Sequence, residues 1–166
     1  MRIVHDFLEP ERFIAGTVGQ PGERTFFLQA KQGRRTVAIS LEKGQVAALA
    51  SRIDELIEGV ASGFDDAPLE TPVVEEFRAG VLAISWNPES KLLTIEAQAL
   101  SDEVDEIVEG DLGADLFRVT ISAELALRFA ARAKSVVAAG RAPCPFCSLP
   151  LDPQGHICPR ANGYRR

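Results

Sequence analysis

The stretch Thr25–Ile57, TFFLQAKQGRRTVAISLEKGQVAALASRIDELI, holds the change of period that decides the fold. Thr25–Ala30 and Arg35–Ser40 are rich in β-branched and aromatic residues. Gln32-Gly33-Arg34 separates them with a glycine suited to a tight reversal, which reads as a hairpin. The apolar spacing then lengthens. Val46, Leu49, Ile53, Leu56, Ile57 and Val60 fall on one helical face. Ser40 is the expected N-cap, Glu42 suits the electropositive first turn, and Gly59 or Gly63 ends the helix.

Working outward, Ile3–Leu8 and Arg12–Val18 read as strands upstream. Gly19-Gln20-Pro21-Gly22 is a turn between strands, and Gly16–Gly22 is not a phosphate loop: it lacks the G-x-x-x-x-G-K-[ST] pattern and opens no helix. Downstream, residues 61–76 hold five acids and no base, with Gly63, Pro68 and Pro72, and read as a linker. Phe77–Trp86 and Lys91–Leu100 are strand-like around an Asn87-Pro88-Glu89-Ser90 turn. Residues 101–115, with seven acids and no base, read as a solvated loop or irregular helix. Leu116–Ser122 is a further strand. Leu125, Phe129, Ala133, Val136 and Val137 form a second helical face that stops near Gly140.

Val37-Ala-Ile-Ser40 and Val119-Thr-Ile-Ser122 each lead from a strand into a helix. The likeness fits either repeated units over 1–60 and 77–140 or convergent capping chemistry. The expected fold is therefore α+β: an antiparallel sheet with two main helices, near 42–59 and 123–139, on one face. Residues 1–140 form this domain, and 141–166 form a small separate module.

Composition bounds the function. A chain with 46% hydrophobic and 25% charged residues is that of a folded globular protein. No apolar run is long enough to span a bilayer, and MRIVHDFLEP carries no apolar signal core, so a cytoplasmic protein is expected. The net charge is −6, divided as −9 over residues 1–140 and +3 from Arg141 onward. An acidic body repels phosphates, which argues against nucleic acid as a partner.

The chemistry lies in CPFCSLPLDPQGHIC, Cys144–Cys158. Cys144 and Cys147 are spaced as a metal knuckle. His156 and Cys158, two apart, share a face in an extended segment. Pro150, Pro153 and Gly155 supply the reversal between the pairs. Together the four make a tetrahedral set of three sulfurs and one nitrogen for one structural Zn²⁺ per chain, with no position left open for substrate. So short a segment cannot bury a core of its own, and metal binding would supply its folding energy. A redox Cys-x-x-Cys normally opens a helix, and Pro150 and Pro153 leave no room for one here. Three unrelated thiols are the bland alternative.

Other candidates are weaker. His5 is expected to be a strand side chain and not a general base. The acids of 101–115 lack the alternating ligand pattern of a calcium loop. Phe77 and Trp86 alternate as a core-facing strand requires. The ending Arg160-Ala-Asn-Gly-Tyr-Arg-Arg166 gathers Arg160, Tyr164, Arg165 and Arg166, residue types favoured in binding hot spots, or it packs back on the zinc module.

FIAGTVGQPGERTFFLQA (Phe13–Ala30), Glu76-Phe-Arg-Ala-Gly80 and the ending CPFCSLPLDPQGHICPRANGYRR resemble an actinobacterial family catalogued as domain of unknown function 3090. That family includes ParJ, a protein associated with the ParA chromosome-partitioning ATPase. The resemblance carries no enzymatic activity, and it implies a ParA-like ATPase as a partner. The expected function is a non-enzymatic, zinc-stabilised binding or adaptor protein. The alternative is an enzyme or small-ligand-binding module with its pocket between sheet and helices. Oligomeric state stays open.

Overall fold

The computed structural model describes residues 2–20, 22–101 and 113–139. The elements in chain order are β1 (Val4–Leu8), β2 (Arg12–Val18), β3 (Thr25–Gln32), β4 (Arg35–Leu41), α1 (Lys43–Leu56), β5 (Glu75–Asn87), β6 (Leu92–Ala99), β7 (Leu116–Ser122) and α2 (Ala123–Ala138). The hairpins lie where turn chemistry demands them. Gly33 takes φ 61° between β3 and β4, and Asn87 Oδ1 accepts from the Glu89 and Ser90 amides between β5 and β6. Three strands followed by a helix occur twice, as β2–β3–β4–α1 and β5–β6–β7–α2.

One seven-stranded sheet results, in the order β1-β7-β6-β5-β4-β3-β2. It is mixed and not antiparallel as the hairpin signals suggest. β4 pairs with β5 in parallel, and so does β1 with β7. The first follows from α1, which carries the chain back across the sheet so that β5 starts at the same end as β4, as a crossover connection does. The second pairs the first strand with the last of the described strands, and no local pattern could announce it.

This order implies strong curvature. In a flat sheet six spacings of about 4.8 Å would put β1 and β2 about 29 Å apart. Only Glu9, Pro10 and Glu11 join them, a reach of about 14 Å from Leu8 to Arg12. The sheet therefore curls until its edges meet. Side chains close the seam where no ladder runs. Gln32 Nε2 donates to the Leu8 carbonyl at 3.0 Å, Arg35 donates to the Asp6 carbonyl, and the Arg35 guanidinium lies 4.0 Å from the Phe7 ring centre.

Both helices share the principal core with one face of the sheet, through Val46, Leu49 and Ile53 of α1 and Phe129, Ala130 and Ala133 of α2. Phe77 and Trp86 pack against this core, as their alternation predicts. Phe13 stacks on Phe129 at 4.5 Å and on Phe117 at 6.2 Å, which seats α2 over β2 and β7.

Three local expectations need correction. α1 ends at Leu56 with Ile57 as its C-cap, so neither Gly59 nor Gly63 ends it, and Val60 is exposed beyond its face. Ser40 does not cap α1. The N-cap is Glu42, whose amide donates to Gln45 Oε1 at 2.7 Å, and Ser40 lies within β4. Residues 61–76 are not simply a solvated linker. Leu69 is 7% exposed and packs with Val73 on Ile14, Phe27 and Ala38, forming a second small core on the outer sheet face. Asp65 and Glu70, on either side of Leu69, are paired and not merely solvated, as described below.

Candidate functional site: an arginine clamp at the β2 edge

β2 is an edge strand, so its outward carbonyls need partners other than a ladder. α2 supplies one. Arg132, one residue before the buried Ala133, lies among the apolar positions of the helix and is 7% exposed. Its Nε donates to the Ala15 carbonyl at 2.7 Å, and one terminal nitrogen donates to the carbonyls of Asp65 (2.6 Å) and Ala67 (2.7 Å). From β2, Arg12 grips the same segment. Its Nε lies 2.5 Å from Asp65 Oδ2, and a terminal nitrogen donates to Asp65 Oδ1 (3.2 Å) and the Ala67 carbonyl (2.7 Å). Asp65 Oδ1 also accepts the Ala67 amide at 2.9 Å, closing a local turn.

The electrostatics follow from this packing. The Arg12 hydrogen bonds hold the Asp65 carboxyl below its ordinary value against the opposing pull of burial. Burial and the neighbouring Arg12 charge push Arg132 down, while Asp65 and Asp66 pull it back. Arginine stays protonated in proteins, so Arg132 remains a cation with its donors engaged. Beside the cluster is a depression of about 70 Å³ reaching Glu11, Leu125 and Arg128, with room for a few waters. An ionised carboxylate and two engaged guanidiniums hold backbone well and transfer protons poorly. The arrangement is a clamp.

Two other hollows carry polar groups. One, of about 240 Å³, brings Arg24, Lys43 and Arg78 to the start of α1, where Arg78 pairs with Glu42 and Arg24 lies 5.0 Å from the Phe26 ring centre. The other is an open groove of about 480 Å³ between α1 and β5, floored by Leu49, Leu82 and Ile84, in which Arg52 and Glu55 pair at 2.9 Å.

The zinc residues expected from sequence, Cys144, Cys147, His156 and Cys158, lie outside the described residues, as do Arg160, Tyr164, Arg165 and Arg166. Among the described residues, no three His, Cys, Asp or Glu side chains are grouped to hold a metal. Most of the acidic stretch 101–115 is likewise outside. Its last residues are held at the start of β7, where Arg2 Nε donates to the Ala114 carbonyl and Asp115 Oδ1 accepts the Ile3 amide, each at 2.9 Å. His5 is a β1 side chain 4.0 Å from Glu76 Oε2 and 6.4 Å from the Phe77 ring, a neighbourhood built by the fold and not by a motif. Sequence reasoning passed over Arg12, Asp65 and Arg132. One signal was present: Arg132 puts a charge three residues after Phe129, inside the apolar stripe of α2.

Fold and site together define an α+β protein built on a curled mixed sheet, with a structural arginine clamp as its main polar cluster among the described residues. The chain belongs to the family described as protein of unknown function DUF3090, whose profile matches residues 5–158. No curated protein and no solved structure matches it. Among the described residues, no helix is long and apolar enough to cross a membrane.

Proposed function

We propose that this protein is a non-enzymatic adaptor whose zinc-stabilised C-terminal module presents a basic surface to a protein partner. The observation that carries the reading is the run of Cys144, Cys147, His156 and Cys158 followed at once by Arg160, Tyr164, Arg165 and Arg166, on a chain whose first 140 residues carry −9. Three thiolates and an imidazole suit Zn²⁺ in donor type and number. Once bound, the metal would give the module rigidity and no reactive position. A rigid module loses little ordering entropy when it binds, so its aromatic and arginines favour contact with an acidic protein surface. The body supports the same reading. Its best-formed polar cluster spends Arg12 and Arg132 on the protein's own carbonyls and Asp65, leaving the clamp to hold the fold.

The family resemblance makes a ParA-like ATPase the partner to test. The purified ATPase should bind the immobilised full-length protein, and deleting residues 160–166 should weaken binding at least tenfold while zinc content stays unchanged. Equal binding with and without those residues would remove the tail from the reading. A turnover activity abolished by one side-chain substitution would replace the adaptor with an enzyme.

A further inference from the structure

Asp65–Val74 crosses the outer face of β2–β4 without joining any ladder. Side chains hold it there. Gln29, 3% exposed, reads the Glu70 backbone from both sides: its Oε1 accepts the amide at 2.8 Å and its Nε2 donates to the carbonyl at 3.1 Å. Lys31 Nζ pairs with Glu70 Oε1 at 3.0 Å. Leu69 fills the space above Gly16, where an added Cβ would lie 2.6 Å from Leu69 Cγ. Ile14, Phe27 and Ala38 form the rest of the floor.

This is how a protein surface recognises an extended peptide: a side-chain amide mimics a neighbouring strand, a hole takes one apolar side chain, and a cation takes the next residue's acid. Lifting Leu69–Val74 from the anchor that Arg12 and Arg132 make at Asp65 and Ala67 breaks no strand pairing. It uncovers an apolar floor, a hole shaped for leucine, and a buried carboxamide that must find new partners.

We propose that the outer face of β2–β4 is a docking site for an extended peptide bearing leucine followed by an acidic residue, and that Asp65–Val74 is the intramolecular occupant competing for it. The proposal rests on the adaptor reading and adds to it a second surface, with a stated ligand chemistry, on the body itself. A tethered competitor acts at an effective concentration in the millimolar range, so the free protein would resist weak ligands of this type. A partner's apparent affinity falls by the fraction of molecules that are open.

The probe is a labelled peptide of residues 64–74, read by fluorescence anisotropy against the full chain. The Leu69→Ala/Glu70→Ala variant, its own occupant weakened, should bind the peptide saturably and at least tenfold more tightly than the unmodified protein. A peptide with alanine in place of its leucine should bind that variant at least tenfold more weakly. A variant that is folded by circular dichroism yet does not bind, binding indifferent to the leucine, or equal binding by the unmodified protein would each overturn the proposal. Should the variant fail to fold, hydrogen exchange on the unmodified protein decides. The Glu70 amide should exchange at least a hundredfold faster than the Leu28 and Ala30 amides of the central β3. Equal rates would mean that the segment leaves only on global unfolding, and the proposal falls. The adaptor reading is judged separately, by the deletion of residues 160–166.

Discussion

Arg132 Nε donates to the carbonyl oxygen of Ala15 at 2.7 Å, so a guanidinium from α2 engages the free edge of β2. The same side chain reaches the Asp65 and Ala67 carbonyls. One buried cation thus joins three parts of the chain that are far apart in sequence: an edge strand, the segment after α1, and α2. An exposed edge invites pairing with other chains, and here one carbonyl of that edge is already engaged.

Arg132→Ala should lower stability by about 3 kcal/mol, because it removes several charge-assisted bonds and leaves buried carbonyls unpaired. Arg132→Lys should recover less than half of that, since an ammonium cannot reproduce the planar fork. Urea unfolding followed by circular dichroism measures both. A loss below about 1 kcal/mol for the alanine variant would show that solvent replaces the clamp easily.

Gly16→Ala should cost about 1–3 kcal/mol through overpacking against Leu69, although alanine is otherwise easily accommodated in a strand. Combined with Leu69→Ala, the second substitution should relieve the clash of the first. The double variant should then be more stable than the sum of the single losses implies. Additive losses in the double-mutant cycle would mean that the two residues do not meet in solution.

The Asp65 carboxyl sits below its ordinary value because Arg12 hydrogen-bonds the ionised form. A depressed carboxylate contributes stability above its unfolded value, about pH 4, and loses it as pH falls through the lower folded value. The stability difference between the unmodified protein and Asp65→Asn should therefore be constant above about pH 5 and shrink as pH falls below about 4 through the lower folded value. Urea midpoints across that range test it. A difference unchanged throughout that range would place the effect of the substitution in packing instead of charge.

Much of the fold was legible because its signals are local. The Gly33 turn, the Asn87 turn and the 3.6-residue spacing of Val46, Leu49 and Ile53 act within a few residues of themselves, and β7 matches its expected bounds. The sheet's mixed character was not legible, because Val4 meets Leu116 across the length of the chain. The clamp was legible only as one misplaced charge at Arg132, since the acceptors of that residue are backbone carbonyls, which carry no sequence signature. Leu69 was hidden by its neighbours: one leucine among acids and prolines reads as linker until Gly16 is placed beneath it.

The proposed zinc site of Cys144, Cys147, His156 and Cys158 is open to a direct chemical test. Purified protein should contain about one zinc per chain by elemental analysis, and Cys144→Ser or Cys158→Ser should lower that content. The metal should protect the thiols from alkylation until a chelator is added. Metal-free protein, fully folded and with all three thiols reactive, would exclude the site.

The two similar stretches that end in Ser40 and Ser122 make the sharpest contrast. Ser122 caps α2, its hydroxyl accepting the Leu125 amide at 3.2 Å. Ser40 is fully buried in β4, two residues before the Glu42 cap, and its Oγ finds no hydrogen-bond partner among the described residues. The same side chain has opposite value in the two places. Ser122→Ala removes a cap and should cost about 1 kcal/mol. Ser40→Ala removes a hydroxyl that lost water on folding without gaining a partner, and should be neutral or stabilising by up to about 1 kcal/mol. Thermal and urea unfolding of the two variants side by side reads the sign directly. A Ser40→Ala loss as large as that of Ser122→Ala would show that the β4 hydroxyl is bonded in solution.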